Sequence, residues 1–295
     1  MRLGFTQCHP MVNFLFFTTV IADMLLFTHP VYLCICFVCG AIYSTKLLGI
    51  KGLLFSGALL PLVILWALYY SSYTHFGVTV LQQNLIGNQI TLESFLYGLV
   101  LGLQVAGCCL WFSCIHAVFT TDKVVYLFGV LSPVLSLFLS AVLRMVPRIK
   151  VQAKRISAAQ KGIGRGIDQG TVFRRFRNLL RIGSALITWF LESCVTLSES
   201  MQSRGMKAWG RTAFSIYSFD NWDRIFVLAM VGGLTLSGMG ALLGQTRMQY
   251  DPRLIFPVIT PMSWVFFCAF AALCLLPFVL DVLTDLSFRK AGGSR

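Results

Sequence analysis

Charged residues are scarce in this sequence, and acidic residues are the scarcest. Lys, Arg, Asp and Glu make up 12% of the 295 residues, and only 11 residues are Asp or Glu. Soluble globular domains usually contain about 25% charged residues. Hydrophobic residues make up 57% of the chain, and several uncharged runs approach the roughly 20 residues that cross a bilayer. The composition excludes water-soluble fold classes and indicates an all-α polytopic membrane protein.

Several chemical signatures are also missing. No G-x-x-x-x-G-K-[ST] motif occurs, so the sequence lacks the phosphate-binding loop of ATPases. Histidine occurs four times without an HExxH zinc motif, and many of the ten cysteines lie in apolar runs, where Cys usually packs as a small hydrophobic residue. We expect no cleavable signal peptide, because further spans follow the first apolar run. We therefore expect a non-enzymatic chain without a metal or cofactor.

Six apolar stretches predict membrane-spanning helices, separated by charged residues or turn signals. They cover residues 12–27, 31–47, 53–70, 95–119, 225–243 and 255–280. The sequence divides into three regions. Residues 1–143 form an N-terminal transmembrane region, residues 144–224 a basic cytoplasmic region, and residues 225–295 a transmembrane pair with a basic tail.

The positive charges predict the orientation of the spans. Lys46 and Lys51 lie between the second and third spans, so the positive-inside rule assigns that loop to the cytoplasm. Between Arg144 and Arg181 there are eleven Lys or Arg residues and one acid, Asp168. The same rule assigns this basic region and both termini to the cytoplasmic side of a bacterial cell membrane.

Residues 124–143 conflict with that orientation. A full span over this apolar stretch would carry the basic region to the outer side of the membrane. Ser132-Pro133 divides the stretch into two short pieces, which favours a bent or re-entrant helical pair. The alternative is one full span, with another helix miscounted.

The basic region itself has three possible explanations. It is a solvated cytoplasmic face, a patch for anionic lipids, or a nucleic-acid-binding surface. Nucleic-acid modules usually add stacking aromatic residues or a known fold, and neither is recognisable. We therefore expect the lipid bilayer, and no nucleic acid, as a partner.

Two long helices are predicted within and beside this region. A basic helix covers residues 136–160 and is kinked at Pro147. An amphipathic helix covers residues 176–204, because polar and apolar residues recur on opposite sides at spacings of three and four. Its polar side chains are those of Arg177, Arg181, Ser184, Thr188, Glu192, Thr196, Glu199 and Ser203, and its apolar ones those of Leu179, Leu186, Phe190, Cys194, Leu197 and Met201.

An Arg-Gly pair follows each of these helices. The first lies in Gly164-Arg165-Gly166 and the second in Ser203-Arg204-Gly205. A glycine can end a helix in the left-handed conformation, so a helix cap is the simpler explanation. Glycine also lets a partner's backbone approach closely, and guanidinium groups bind carboxylates. Because the pair occurs twice, we predict contacts with other proteins.

The sequence resembles the transmembrane T component of energy-coupling factor (ECF) transporters, a group that includes the cobalt-transport permease of Q type. The resemblance rests on residues 9–17, 28–35, 119–166, 189–206 and 211–224. It implies two long coupling helices, each ending in an Ala-Arg-Gly-like motif that docks one of two ABC-type ATPase subunits.

Arg165 and Arg204 are the docking arginines that this resemblance implies. The second motif departs from the pattern because Ser203 replaces Ala. In the first, four residues separate Ala159-Gln160 from the Arg-Gly pair, where the common pattern has two. The resemblance further implies a separate substrate-binding S component, through which the complex takes up a vitamin or a metal ion.

Two other functions remain open. The pair Asp220 and Asp223 is compatible with a membrane-embedded, magnesium-dependent transferase acting on lipid diphosphates, although such enzymes are expected to carry two acidic motifs. A self-contained secondary transporter is the other alternative, although the asymmetric layout disfavours the inverted repeats of many such proteins.

Overall fold

Helices dominate the described part of the chain, since a helix satisfies its own backbone hydrogen bonds inside a membrane. The structure, a computed structural model, describes residues 4–74, 76–83, 89–205, 217–251, 254–257 and 259–292. Within them the α-helices are α1 Pro10–Leu26, α2 Pro30–Leu48, α3 Ile50–Tyr73, α4 Leu92–Val118, α5 Thr121–Leu131, α6 Pro133–Gly162, α7 Val172–Ser203, α8 Asn221–Leu242 and α9 Pro261–Gly292. The predicted fold class is confirmed: the chain is an all-α polytopic membrane protein.

The predicted spans correspond to α1, α2, α3, α4, α8 and α9. All but α1, which is shorter, are long and apolar enough to cross a membrane. The last predicted span began too early. Residues 254–257 lie outside the helix, where Ile255 bridges Gln249, and Pro261 opens α9. Proline suits the first turn of a helix, where its missing N–H has no intrahelical partner.

Helix α7 is also long and apolar enough to cross a membrane. Its exposed polar side chains favour the sequence-based assignment to the cytoplasmic side, which stays a prediction. A short antiparallel hairpin, β1 Val80–Gln83 with β2 Gln89–Thr91, lies in the uncharged segment between α3 and α4. No strand was predicted in that segment.

Contacts between residues divide the chain into two compact units. One combines Met1–Thr120 with Tyr217–Arg295, and the other is Thr121–Ile216. In the first unit, α3 packs on α4, α2 on α4 and α9, and α8 on α9. In the second unit, α5 and α7 both pack on α6. We call this second unit the hairpin unit.

Aromatic side chains fill the core of the first unit. Phe5, Phe16, Phe17 and Trp111 are all nearly or fully buried and meet edge to face, the geometry that aromatic rings favour. The Trp111 indole N–H donates to the Cys36 sulfur at 3.2 Å. Four of the ten cysteines are buried, consistent with the predicted packing role.

The hairpin unit begins with a break at Ser132. This residue has extended backbone angles, φ −157° and ψ 127°, between α5 and α6, because the following Pro133 disfavours a helical conformation there. The predicted interruption of residues 124–143 is therefore confirmed. The second piece does not end at residue 143, since α6 continues through Pro147 to Gly162. Whether the α5–α6 bend enters the membrane remains a prediction.

Candidate docking site on the helical hairpin

Helices α6 and α7 form an antiparallel pair with grooves between them. Near the connecting loop, Ala153 and Ser157 of α6 face Leu179 and Leu186 of α7 across a groove of about 950 Å³. At the other end, residues 134–149 of α6 face residues 190–201 of α7 across a groove of about 430 Å³. The loop end of α6 thus meets the start of α7, and the beginning of α6 meets the end of α7.

The predicted amphipathic pattern of α7 is confirmed. All six predicted apolar residues, Leu179, Leu186, Phe190, Cys194, Leu197 and Met201, line the grooves toward α6. The eight predicted polar residues are all exposed. The period of 3.6 residues therefore locates the face that packs on α6.

Arg165 directly follows the glycine that ends α6. Gly164 has a φ of +79°, its N–H donates to the Lys161 carbonyl at 3.1 Å, and the Arg165 N–H donates to the Gln160 carbonyl at 2.9 Å. This pair of bonds is a Schellman motif, in which a left-handed residue satisfies the last free carbonyls of a helix. The Arg165 backbone is therefore fixed, while its side chain is exposed.

Gly166 is held by two side chains that the sequence analysis did not single out. Its N–H donates to the Gln169 side-chain oxygen at 3.0 Å, and its carbonyl accepts from the Asn178 amide at 3.1 Å. Asn178 is 4% exposed and lies in the second turn of α7. In the sequence, the only indication of a role for Asn178 was that it is a polar residue soon after a glycine-rich loop. These bonds attach the loop that carries Arg165 to α7.

Arg204 precedes the glycine that ends α7. It is the C-terminal cap residue, with φ −81° and ψ 8°. The next residue, Gly205, has a φ of +76° and donates its N–H to the Gln202 carbonyl at 3.0 Å. Ser203, Arg204 and Gly205 are all exposed, so the end of α7 presents an exposed guanidinium.

The two Arg-Gly pairs therefore differ in backbone geometry. In the first, Arg165 comes after the left-handed glycine, whereas in the second, Arg204 comes before it. The residue of α6 that corresponds to Arg204 is Ile163, the cap of that helix. The four-residue spacing after Ala159-Gln160, noted in the sequence, shifts the first arginine two positions past the helix cap.

The two arginines lie at opposite ends of α7. Arg165 is in the loop before this helix and Arg204 caps its end. Gly166, next to Arg165, is bonded to Asn178, and a helix rises 1.5 Å per residue, so the stretch of α7 from Asn178 to Arg204 separates the two arginines by about 40 Å. The structure does not bring them into one site; it presents two exposed guanidinium groups at two separate places on the hairpin unit.

A second apolar stripe of α7 was not predicted. Ile187, Leu191 and Val195 are each more than half exposed and continue a line that begins at Phe173 and Phe176. Successive side chains in this line are three, eleven, four and four residues apart, which places them on one side of the helix. The stripe borders the face that lines the grooves toward α6, and Ile187 also lines the first groove.

The paired acids before α8 hold backbone groups. One carboxylate oxygen of Asp223 accepts from the His9 N–H and the other from the Asp220 N–H, each at 3.1 Å. Asp223 is 2% exposed. The carboxylate thus attaches the start of α1 to the start of α8, which gives the acid pair a structural explanation and disfavours the transferase.

Comparison with known proteins gives one informative similarity. No protein-family model matches the chain. The energy-coupling factor transporter transmembrane protein EcfT of Lactobacillus helveticus is 28% identical over 106 residues, which are 35% of this chain and 38% of EcfT. The chain thus matches less than two-fifths of that relative's length. At a coarse level, the similarity therefore supports an assignment as the membrane component of an energy-coupling factor transporter.

Proposed function

We propose that this chain is the membrane coupling subunit of an ECF-type ABC importer. Two ABC-type ATPase subunits bind the hairpin unit on the cytoplasmic side, one through Arg204 and one through Arg165. Their ATP-driven motion passes along the hairpin to a substrate-binding S component, which releases a vitamin or a metal ion into the cell. This chain itself carries out no chemistry.

The main support is the pair of exposed arginines that follow two long helices and are fixed by left-handed glycines. A guanidinium group offers five donors in a rigid fork, which suits an acidic groove. The similarity to EcfT supports the same assignment from an independent direction. A spacing of about 40 Å along α7 suits two partner subunits better than one.

We expect Arg204 to be the stronger of the two docking residues. Its side chain is exposed at a helix cap, next to Gly205, whose missing side chain leaves room for a partner's backbone. Arg165 lies in a loop whose following residue, Gly166, is buried and bonded to Asn178. We therefore expect the first motif to present less backbone to its partner.

The exposed apolar stripe formed by Ile187, Leu191 and Val195 is the surface that we assign to the S component. Its side chains lie along the middle of α7, between the two arginines. A partner there would tilt together with α7. This assignment extends the proposal and needs the S component to be identified.

The test is purification of the tagged full-length chain from its native membrane, with mass spectrometry of the proteins that accompany it. Wild type is expected to retain two ATPase subunits and a small membrane protein. Arg204→Ala should weaken ATPase binding by roughly 2–5 kcal/mol, because it leaves an acidic partner unpaired. Arg165→Ala should weaken it less, and Arg148→Ala, an exposed arginine within α6, is the matched control.

Two results would contradict the proposal. The first is an Arg204→Ala variant that retains ATPase subunits at wild-type yield and supports normal uptake. The second is ATP-independent transport by the purified chain alone, which would favour a self-contained secondary transporter.

A further inference from the structure

The first three turns of α7 carry two adjacent stripes of unlike chemistry. Phe173, Phe176 and Leu180 are 80%, 59% and 57% exposed, and their spacings of three and four place them on one face. Arg174, Arg177 and Arg181 are exposed, follow the same spacings and occupy the neighbouring face. We call these six residues the Phe/Arg surface.

The arginines of this surface form no ion pair within the described part of the chain. Among the residues that the structure describes, the ion pairs are Lys46–Asp285 and Lys161–Asp168, and neither includes Arg174, Arg177 or Arg181. The first acid farther along α7 is Glu192, about 16 Å beyond Arg181 at 1.5 Å per residue. Three positive charges therefore stay uncompensated beside three exposed apolar side chains.

Arg175, which lies beside this surface, differs from these three arginines because it has an internal hydrogen bond. Its side chain donates to the Gly170 carbonyl at 3.0 Å, so it supports the loop that precedes α7. The sequence FRRFR thus contains one arginine with an internal hydrogen-bond partner, Arg175, and two exposed arginines, Arg174 and Arg177. This difference separates a structural arginine from the exposed surface.

Neither water nor α6 explains the Phe/Arg surface. Contact with water alone leaves two phenylalanines that are more than half exposed without an apolar partner, and of the six residues only Leu180 lines the groove toward α6. Helices that lie at a bilayer interface combine these features: Phe and Leu enter the boundary between headgroups and acyl chains, while Arg meets the phosphates. The chain is a multi-pass membrane protein, so its own bilayer is a tethered partner at high effective concentration.

We propose that the Phe/Arg surface binds the anionic phospholipid headgroups of the membrane in which the chain is anchored. Lipid phosphates supply the negative charge that the hairpin unit lacks near Arg174, Arg177 and Arg181. The bilayer edge covers Phe173, Phe176 and Leu180. This contact holds the start of α7, and it does not depend on the docking of ATPases.

The experiment uses the full-length chain in lipid nanodiscs without any partner protein. One preparation contains phosphatidylcholine alone and the other contains 30% phosphatidylglycerol. Amide hydrogen exchange is followed for residues 172–181 by mass spectrometry. Each arginine near an anionic surface strengthens binding about fivefold, or roughly a hundredfold for three. We expect exchange in this segment to slow by about tenfold or more in the anionic discs, and 0.5 M salt to reduce that protection.

Variants distinguish the two stripes. The triple variant Arg174→Gln, Arg177→Gln and Arg181→Gln should lose the slowing, and Phe173→Ser with Phe176→Ser should lose it as well, since these side chains are exposed in the hairpin itself. The matched control removes three exposed charges from the first unit, through Lys51→Gln, Arg224→Gln and Arg247→Gln. It should exchange like wild type in residues 172–181.

Exchange that is independent of lipid charge in the wild type overturns the proposal, as does a triple arginine variant that keeps the slowing. If protection instead appears only when ATPases are added, the surface belongs to a protein partner. The ATPase-docking proposal fails separately, through the behaviour of Arg204→Ala in co-purification.

Discussion

Replacing Asn178 by Ala should loosen the loop that carries Arg165. The Asn178 side chain is 4% exposed and donates to the carbonyl of buried Gly166 at 3.1 Å. Removing the donor leaves that carbonyl without its partner, which costs about 1–3 kcal/mol. Because 1.4 kcal/mol is a factor of ten in an equilibrium constant, local opening should increase by roughly 5- to 150-fold.

Hydrogen exchange of residues 163–171 measures this opening directly, because amides in a locally opening segment exchange from the open form. The end of α7 around Gly205 should be unaffected. Binding of the ATPase partner at Arg165 should weaken, since a loose loop must be ordered on binding. Asn178→Asp should behave similarly, because a carboxylate cannot donate to a carbonyl.

Asn221→Ala is the matched control, since Asn221 is exposed at the start of α8 in the other unit. It should leave exchange of residues 163–171 unchanged. Should Asn178→Ala exchange at the wild-type rate throughout this loop, the hydrogen bond to Gly166 does not hold the loop, and Arg165 is positioned by the Schellman motif alone.

Three further predictions concern other contacts. Gly205→Ala should destabilise the end of α7 by about 1–2 kcal/mol, because the φ of Gly205, +76°, is left-handed. Faster amide hydrogen exchange at the end of α7 would show this loss of stability, and an unchanged rate would contradict the prediction. Gly52→Ala should lower the thermal stability of the detergent-purified chain, since the added Cβ falls against the Ser44 carbonyl. In the same helix, a Cβ added by Gly57→Ala meets nothing within 4 Å, so that variant should be neutral or stabilising. Equal melting temperatures of the two variants would refute this. Asp223→Ala should destabilise the chain by more than 1 kcal/mol, as it removes the acceptor of two backbone N–H groups, and a melting curve like that of wild type would exclude this role.

Apolar length and helical period were enough to predict most of the fold. The ends of α1, α2, α3, α4 and α8 lie within about four residues of the predicted ends, as expected where apolar runs are long and bounded by Gly, Pro or charge. The β1–β2 hairpin was missed because its pairing joins segments across a turn, and the strands are three or four residues long. So short a run has no distinctive period.

The geometry of the first Arg-Gly pair could not be predicted from the sequence. Gly162, Gly164 and Gly166 all follow the basic helix, and any of them could have ended it. Only the backbone identifies Gly164 as the left-handed residue. The exposed apolar stripe of α7 was missed for a different reason. Its residues share the composition of the face toward α6, and composition does not tell which apolar side chains find a partner.

Helix α7 runs without a break from the loop of Arg165 to Arg204, and this continuity has a mechanical consequence. With about 24 Å on either side of its midpoint, a tilt of roughly 10° displaces both tips by about 4 Å in opposite directions. A force that moves one end of α7 therefore moves the other end in the opposite direction. Two proteins bound at the two ends of α7 would therefore be coupled through the tilt of one helix.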